Sequence, residues 1–423
     1  MLVEPLDAPL SAVVEVPGSK SIANRALICA ALADGRSVLR GVAPGDDTMA
    51  MLDCIAALGA GIEPELEGRV DHLAVQGTGG HLKPGPITLP TRLAGTTSRF
   101  ITAVAALGEG PYLVDGDEAL RRRPMSALHD ALQALGASLV SSHESGHLPV
   151  TVRGPLQGVR NANLSIRGDV SSQYITALML IAPYLADGVR IDLTTPLVSR
   201  SYVGITAAVM AAFGVNGVEV GEQHVVVPAG RYRATDYHVE PDASSASYPL
   251  AAAAIVGGTV HVPGLGADSL QGDARFAQVL ADMGCDVVVN ARGTTVTRDG
   301  RLRGIDIDMV DISDLVPTLS VVAPFADTPT TIRGVGFIRA KESDRLGDLS
   351  AELRRAGVDA EETADGLVIR PGLPHPAVLQ THHDHRLAMS FALMGLAVPG
   401  IEVADPDVVS KSWPHFWDMI DEL

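Results

Sequence analysis

Positive charge is scarce in this sequence. Its 423 residues carry 32 Lys and Arg against 50 Asp and Glu, a formal charge of −18 at pH 7. A chain this acidic argues against nucleic acid or an anionic membrane as partner, because binding to either is driven by neutralising phosphates. Any anion it does bind must meet a local cluster of cations. Cysteine is nearly absent too. Cys29, Cys54 and Cys285 are odd in number and scattered, with no C-x-x-C spacing, which argues against a disulfide framework or a zinc site. The N-terminal MLVEPLDAPLSAVVEV has neither a basic segment nor a long apolar one, so no signal peptide is expected. The longest apolar run, ITALMLIAPYLA, is too short to cross a bilayer and ends at Asp187 and Gly188. The expectation is a cytoplasmic protein. What the chain does have is length and 46% apolar residues, enough for two or three domains with real cores.

Two series of helices repeat through it. One stops at glycine and passes into a strand, as in DCIAALGAGIE, DALQALGASLV, AAVMAAFGVNGVEV, AQVLADMGCDVVV and SAELRRAGVDAEE. The stopping residues are Gly59, Gly136, Gly214, Gly284 and Gly357, separated by 77, 78, 70 and 73 residues. Glycine suits a helix end because it turns left-handed at no steric cost. In the second copy Met125, Leu128, Leu132 and Leu135 form one apolar stripe, and the helix is expected to begin after Pro124. The other series begins near residues 21, 96, 171, 244, 314 and 385, with a polar first turn and then apolar residues almost all round, the mark of a buried helix. Strands are expected between them, among them VVEVPG, HLAVQG, HLPVTVRG, VVVNARGTTVTR and GLVIRPG. Helix, glycine, strand is a common succession in α/β proteins. Two separate series that keep spacing and phase argue instead for about six units of roughly 70 residues, none long enough to stand alone.

Polar chemistry collects at the starts of the buried helices. Copy one has Ser19, Lys20, Ser21, Asn24 and Arg25; copy two has Gly95, Thr96 and Arg99; copy three has Ser171, Ser172 and Gln173. Copy four has Asp242, Ser244 and Ser245, copy five Asp314, and copy six Asp384, His385 and Arg386. Ser, Thr and Asp are ordinary N-caps. Lys20, Arg25, Arg99 and Arg386 are not, since a cation opposes the helix dipole at its start, and a bound anion resolves the conflict. Lysine usage points the same way. There are 28 Arg but only four Lys, and Lys20, Lys341 and Lys411 lie in the dense polar motifs PGSKS, RAKESDRL and SKSWP, whereas Lys83 in HLKPGP reads as a solvated surface residue. PGSKS lacks the spacing of a nucleotide P-loop. In HHDH, residues 382–385, adjacent side chains point different ways and no second ligand cluster accompanies them, so a metal is not expected. RAKESDRL is equally compatible with a salt-bridged surface helix start, and at least one of Arg121, Arg122 and Arg123 is expected to turn into a cleft.

The stretches PGSKSIANRALICAALADG, LAGTTSRF, DGDEALRRRPM, DVSSQYITAL, VEPDASSASYPLAAAAI, RAKESDRL and HHDHRLAM together resemble, in chain order and over essentially the full length, the 3-phosphoshikimate 1-carboxyvinyltransferase family, the 5-enolpyruvylshikimate-3-phosphate synthases. The resemblance implies a two-domain inside-out α/β barrel. Each domain would hold three βαβαββ repeats with buried helices whose N-termini face the interdomain cleft. Residues 18–235 would form the domain on the shikimate 3-phosphate side, and 1–17 with 236–423 the other, so that the chain crosses twice.

The implied reaction moves the enolpyruvyl group of phosphoenolpyruvate onto the 5-hydroxyl of shikimate 3-phosphate by addition and elimination, releasing phosphate. By family position, Lys20, Ser21, Arg25, Ser171, Ser172, Gln173, Ser199, Asp314 and Lys341 would hold shikimate 3-phosphate. Lys20, Gly95, Arg123, Gln173, Arg345, Arg386 and Lys411 would hold phosphoenolpyruvate. Asp314 would accept a proton and Glu342 donate one, with Lys20 as the third catalytic group. Two carboxylates in a dry cleft can be tuned apart as base and acid. The resemblance implies no cofactor and no metal. It implies small-molecule substrates, a monomer, and domain closure once anions bridge cations held in both halves. Leu93 replaces a polar Asn common in the family, Phe100 replaces a Pro, and Phe337 stands where some members have Asn. UDP-N-acetylglucosamine enolpyruvyl transferases resemble this chain less, since GPYLVDGDEALRRR lacks their reactive Cys. A non-catalytic phospho-metabolite binder would need neither Asp314 nor Glu342.

Overall fold

The computed structural model describes residues 1–66, 71–156 and 158–423. The chain divides into two compact units, one of Gly18–Val239 and one of Met1–Pro17 with Glu240–Leu423.

Each unit is built on three helices that are buried on nearly every side beyond their polar first turns. In Gly18–Val239 they are Lys20–Leu32, Gly95–Ala105 and Ser172–Ile181, and they pack on one another. In the other unit they are Ala243–Val256, Val316–Val322 and His385–Gly395, again in mutual contact. A helix hydrophobic all round must be covered on all sides, and small residues such as Ala251 to Ala254 let its neighbours approach closely. The expected start near 314 is refined: a 3-10 turn, Ser313–Leu315, carries Asp314 and leads into the helix.

Strands pair outside these helices in one recurring pattern. A leading strand runs parallel to its neighbour, and two further strands follow antiparallel. Ile87–Pro90, Tyr112–Asp115, Val150–Arg153 and Ser138–Ser141 form one such sheet in that spatial order. Two sheets borrow their leading strand from far along the chain. Asp236–His238 pairs in parallel with Arg36–Arg40, and Leu10–Val13 pairs in parallel with the sheet strand Gly258–Pro263. The N-terminal segment thus belongs with the later repeats. VVEVPG is not the strand it was expected to be. The strand lies earlier, at Leu10–Val13, in register from Gly258 to His261, and only Val13 and the Val14 amide, which donates to His261 O at 2.9 Å, belong to the expected segment. In the last repeat Ala377–Leu379 pairs with Ile401–Val403, and the Val3 amide donates to Ile401 O at 3.1 Å.

The amphipathic series is realised as Asp46–Ala57, Ser126–Ala134, Arg200–Ala212, Phe276–Asp282 and Gly347–Arg355. The second of these starts at Ser126 rather than directly after Pro124, since Met125 is its N-cap. All five end alike. Gly59, Gly136, Gly214, Gly284 and Gly357 have φ between +81° and +113°. The next amide reaches back to close the turn, for example Ala60 N to Ile55 O at 3.0 Å and Ala137 N to Leu132 O at 3.0 Å. This is the Schellman arrangement, which satisfies carbonyls the helix would otherwise leave orphaned. Among the described residues no helix is long and apolar enough to cross a membrane.

Gly136 has φ +105° and nothing within 4 Å of where a Cβ would stand, so alanine there meets only backbone strain. Gly204 lies exposed inside the helix Arg200–Ala212, also with open space around it. Gly136→Ala is expected to lower stability by about 1–2 kcal/mol. Gly204→Ala should raise it by about 0.5–1 kcal/mol. Urea midpoints moving in the opposite order would contradict this account of the helix ends.

Candidate active site

In the unit Gly18–Val239, three helix starts meet through polar contacts. Lys20 opens its helix, and Nζ lies 3.0 Å from Asp47 Oδ2. Asp47 sits in the first turn of the helix Asp46–Ala57, and its backbone carbonyl accepts from Thr97 Oγ1 at 3.1 Å. Thr96 Oγ1 in turn accepts from Gln173 Nε2 at 3.1 Å, bringing in the third buried helix. Capping sets these starts apart. Ser171 Oγ accepts from the Gln173 amide, so that start is capped by its own side chain. Ser19 makes no cap and Ala94 has no polar side chain to offer, so the starts at Lys20 and Gly95 carry amides that no side chain caps. Such amides are ready donors for an anion.

Gly95 has the tightest surroundings. A Cβ on it would lie 2.6 Å from Arg99 Nη1 and 2.8 Å from Arg123 Nη1, so two guanidinium groups crowd its Cα. Arg99 Nη1 donates to Gly95 O at 2.7 Å, and its guanidinium lies over the Tyr174 ring. Of the triple-arginine run, Arg121 forms a bidentate pair with Asp115 and Arg122 pairs with Glu118. Arg123 is the one that reaches Gly95. Arg25 is buried. It donates to Thr206 Oγ1 at 2.8 Å, Ser21 O at 2.6 Å, Tyr202 O at 3.2 Å and Thr176 Oγ1 at 3.3 Å, using four of its five N–H groups. Burial pulls its pKa down to about 10, against Tyr202 and Cys29, so it stays charged at neutral pH. Phe100, expected to depart from the family's pattern, lies against the same guanidinium at 5.4 Å and packs on it. Ser172 and Ser199 are buried, and Ser199 holds a left-handed φ of +53° at the N-cap of Arg200–Ala212.

The other unit holds a denser cluster. Arg345 is only 1% exposed. It donates to Asp384 through Nε (2.7 Å) and Nη2 (3.2 Å), to Glu342 Oε2 at 2.8 Å and to Asp314 Oδ1 at 2.9 Å. A buried guanidinium is tolerable only with such partners, and the three carboxylates hold its pKa above the usual arginine value against the effect of burial. Asp314 also accepts from Arg386 Nη2 at 2.9 Å, with Lys341 Nζ at 3.8 Å. Burial pushes the Asp314 carboxyl up, but Arg386, Lys341 and Arg345 outweigh it and hold it well below the usual carboxylate range. Asp384 caps the helix His385–Gly395 by accepting from the Arg386 amide at 2.9 Å, and it also accepts from Ser343 Oγ at 3.0 Å. Lys341 lies 6.0 Å from the Phe337 ring, so this Phe offers a cation–π contact where an Asn would offer a hydrogen bond. Lys411 ends the 3-10 turn Pro406–Lys411 and is buried.

RAKESDRL is therefore no solvated helix start, since its Arg345 is among the most deeply buried side chains. Of HHDH, His382 turns to Glu352 at 3.1 Å while Asp384 serves Arg345. Among the described residues no group of three or more His, Cys, Asp and Glu is placed to hold a metal. In the sequence Asp47 goes unread, Asp384 reads only as a polar group at a helix start with no partner named, and Arg99 is expected to meet an anion but is not placed with Gly95 and Arg123. Asp47 and Asp384 meet their cations across 27 and 39 residues, which no local pattern reveals. Arg99 did carry a signal, a cation in a helix's first turn.

The sequence model described as EPSP synthase (3-phosphoshikimate 1-carboxyvinyltransferase) matches residues 6–420. The chain belongs to this family. A 3-phosphoshikimate 1-carboxyvinyltransferase of Nostoc punctiforme is 44% identical over 413 residues, covering 97% of this chain and 96% of the relative. The enzyme of that name from Vibrio campbellii is 38% identical over 418 residues, covering 97% and 96%. A solved EPSP synthase from Acinetobacter baumannii superposes with a TM-score of 0.84 over 100% of this chain and 97% of that one, at 24% identity, which supports the shared fold. The family's α/β architecture is the one described above.

Gly95→Ala places a methyl group against the ends of two flexible arginines, which can yield without unfolding the unit. We expect thermal stability to change little, while binding of a phosphate monoester anion weakens about tenfold, the loss of roughly one charge-assisted hydrogen bond. Unchanged anion affinity in a titration of this variant would contradict the assignment of Gly95, Arg99 and Arg123 to an anion site.

Proposed function

We propose that this chain transfers the enolpyruvyl group of phosphoenolpyruvate to the 5-hydroxyl of shikimate 3-phosphate and releases phosphate. The observation that carries this reading is the set of buried and helix-start cations, Lys20, Arg345 and Arg386 among them paired with carboxylates of the same unit, in a chain of this family. The two substrates bring two phosphates and two carboxylates, and such anions compete with Asp47 and Asp314 for the same cations.

To shikimate 3-phosphate we assign Lys20, Ser21, Arg25, Ser171, Ser172, Gln173 and Ser199, which makes Gly18–Val239 its side of the molecule, with Asp314 and Lys341. To phosphoenolpyruvate we assign Lys20, Gly95, Arg123, Gln173, Arg345, Arg386 and Lys411. Arg suits the bidentate carboxylate and phosphate contacts, and Lys20 the shared one. Asp314 takes the proton of the 5-hydroxyl as its oxygen bonds to C2 of phosphoenolpyruvate, while C3 gains a proton from Glu342. The tetrahedral adduct then loses a proton from C3 and expels phosphate from C2, restoring the double bond. As Asp314 stands, three cations make it a weak base. An anion that draws Arg386 and Lys341 to itself relieves that hold and raises the basicity of Asp314 when substrate is present. This reading requires no metal or cofactor, and we place the chain in the cytoplasm as a monomer.

Phosphate release with both substrates, and with each omitted in turn, tests the reading. Release is expected only with the pair. Asp314→Ala and Glu342→Ala should each lower kcat by about 10²–10⁴-fold. No release with the pair would refute the transferase, and full activity in both variants would refute the assigned proton transfers.

A further inference from the structure

The carboxyl of Asp273 has no part in the chemistry above, yet it lies among the groups that do. It sits in the 3-10 turn Gly272–Arg275, just before the helix Phe276–Asp282, and is 4% exposed. The helix Ala243–Val256 is docked on this turn. Its Ala243 amide donates to Gln271 Oε1 at 3.0 Å, and the Ser244 hydroxyl donates to Asp273 Oδ2. The second oxygen, Oδ1, is buried with no hydrogen-bond partner among the described residues. A buried carboxylate with one oxygen unsatisfied is costly, and the neutral acid much less so. The charges that act on it come from three further elements. Asp242 caps the helix Ala243–Val256, Asp314 lies in the turn Ser313–Leu315, and Arg386 lies in the helix His385–Gly395. Burial, Asp314 and Asp242 favour the acid, while Ser244 and Arg386 favour the carboxylate; together they push Asp273 up to about 7.

We propose that Asp273 is a positioning residue that couples anion binding at Arg386 to the uptake of a proton. The inference rests on the assignment of Arg386 to phosphoenolpyruvate. An anion docked on Arg386 neutralises the cation that favours the Asp273 carboxylate, and it adds negative charge nearby. Both effects convert Asp273 to the acid, the proton coming from solvent. At pH 6 Asp273 is already protonated and the coupling vanishes. Well above neutrality the ionised carboxylate competes with the incoming anion for Arg386, so affinity falls as pH rises through 7.

The test compares the full chain with Asp273→Asn, which keeps the shape of the neutral acid. Calorimetry of phosphoenolpyruvate binding in buffers of different ionisation enthalpy counts the protons taken up, and KM for phosphoenolpyruvate is followed from pH 6 to 9. The ligand's own phosphate titrates equally in both proteins, so the difference between them is the readout. Wild type should take up more protons on binding near pH 8 than the variant. The variant should bind about 3- to 10-fold more tightly at pH 8.5, with the gap closing toward pH 6, as expected for a coupling of up to one pKa unit. Ser244→Ala removes the donor that favours the carboxylate and should shift the wild-type profile to higher pH, which keeps the proposal testable if Asp273→Asn fails to fold. Equal proton uptake and unshifted pH profiles in both variants would overturn it, as would a loss of affinity in Asp273→Asn that is the same at every pH. Absence of turnover in the wild type would instead count against the transferase reading, while calorimetry still decides the role of Asp273.

Discussion

Everything in this molecule that concerns chemistry depends on one electrostatic conflict: cations are set at the starts of buried helices, where the helix dipole is positive. Lys20 and Arg386 occupy first turns, and Arg345 is buried outright. Left alone, the buried Arg345 would cost several kcal/mol of desolvation, and a cation in a first turn up to about 2 kcal/mol of dipole repulsion. Carboxylates from the same unit offset that cost, Asp47 for Lys20, and Asp314, Glu342 and Asp384 for Arg345 and Arg386. The cations are thereby kept in place and charged, with partners that, on the proposed function, the substrates' anions replace. Asp384 is the fixed member, fully buried and capping a helix while it holds Arg345. Asp314, in contact with three cations and still partly exposed, is the member we propose to be exchanged.

The fold supplies the platform for that conflict by repetition. Three apolar helices per unit require cover on all sides, and sheets with a common pairing pattern provide it. Their starts are then brought together by packing, which is why Thr97 can bond to Asp47 and Gln173 to Thr96 across long stretches of chain. The left-handed glycines serve the same end, since each turns the chain sharply from an outer helix into the next strand.

Much of this architecture was legible in the sequence. The five stopping glycines and six apolar helices are periodic signals, and each marks a place where backbone geometry or burial admits few residues. The scarcity of lysine marked Lys20 and Lys341 as chemically needed. What escaped is long-range. Residues 1–17 were expected with the later repeats, but the pairings themselves, Leu10–Val13 to Gly258 and Asp236–His238 to Val38, the latter inside the unit Gly18–Val239 and not with 236–423, involve segments too short to show a period. Asp47, Asp384 and Asp273 look like ordinary acidic residues near helix starts until the fold sets them beside Lys20, Arg345 and Ser244. The run Arg121 to Arg123 could not be resolved by pattern either, because the carboxylates that occupy Arg121 and Arg122 are local while Arg123 alone reaches Gly95.

The central claim, that these balanced clusters carry enolpyruvyl transfer, is tested most directly by following a reaction mixture of the chain with phosphoenolpyruvate and shikimate 3-phosphate by phosphorus and proton NMR. The account predicts one inorganic phosphate for each enol ether formed at the 5-oxygen, with the 3-phosphate left intact. Phosphate appearing together with pyruvate and unaltered shikimate 3-phosphate would show hydrolysis in place of transfer and would contradict it.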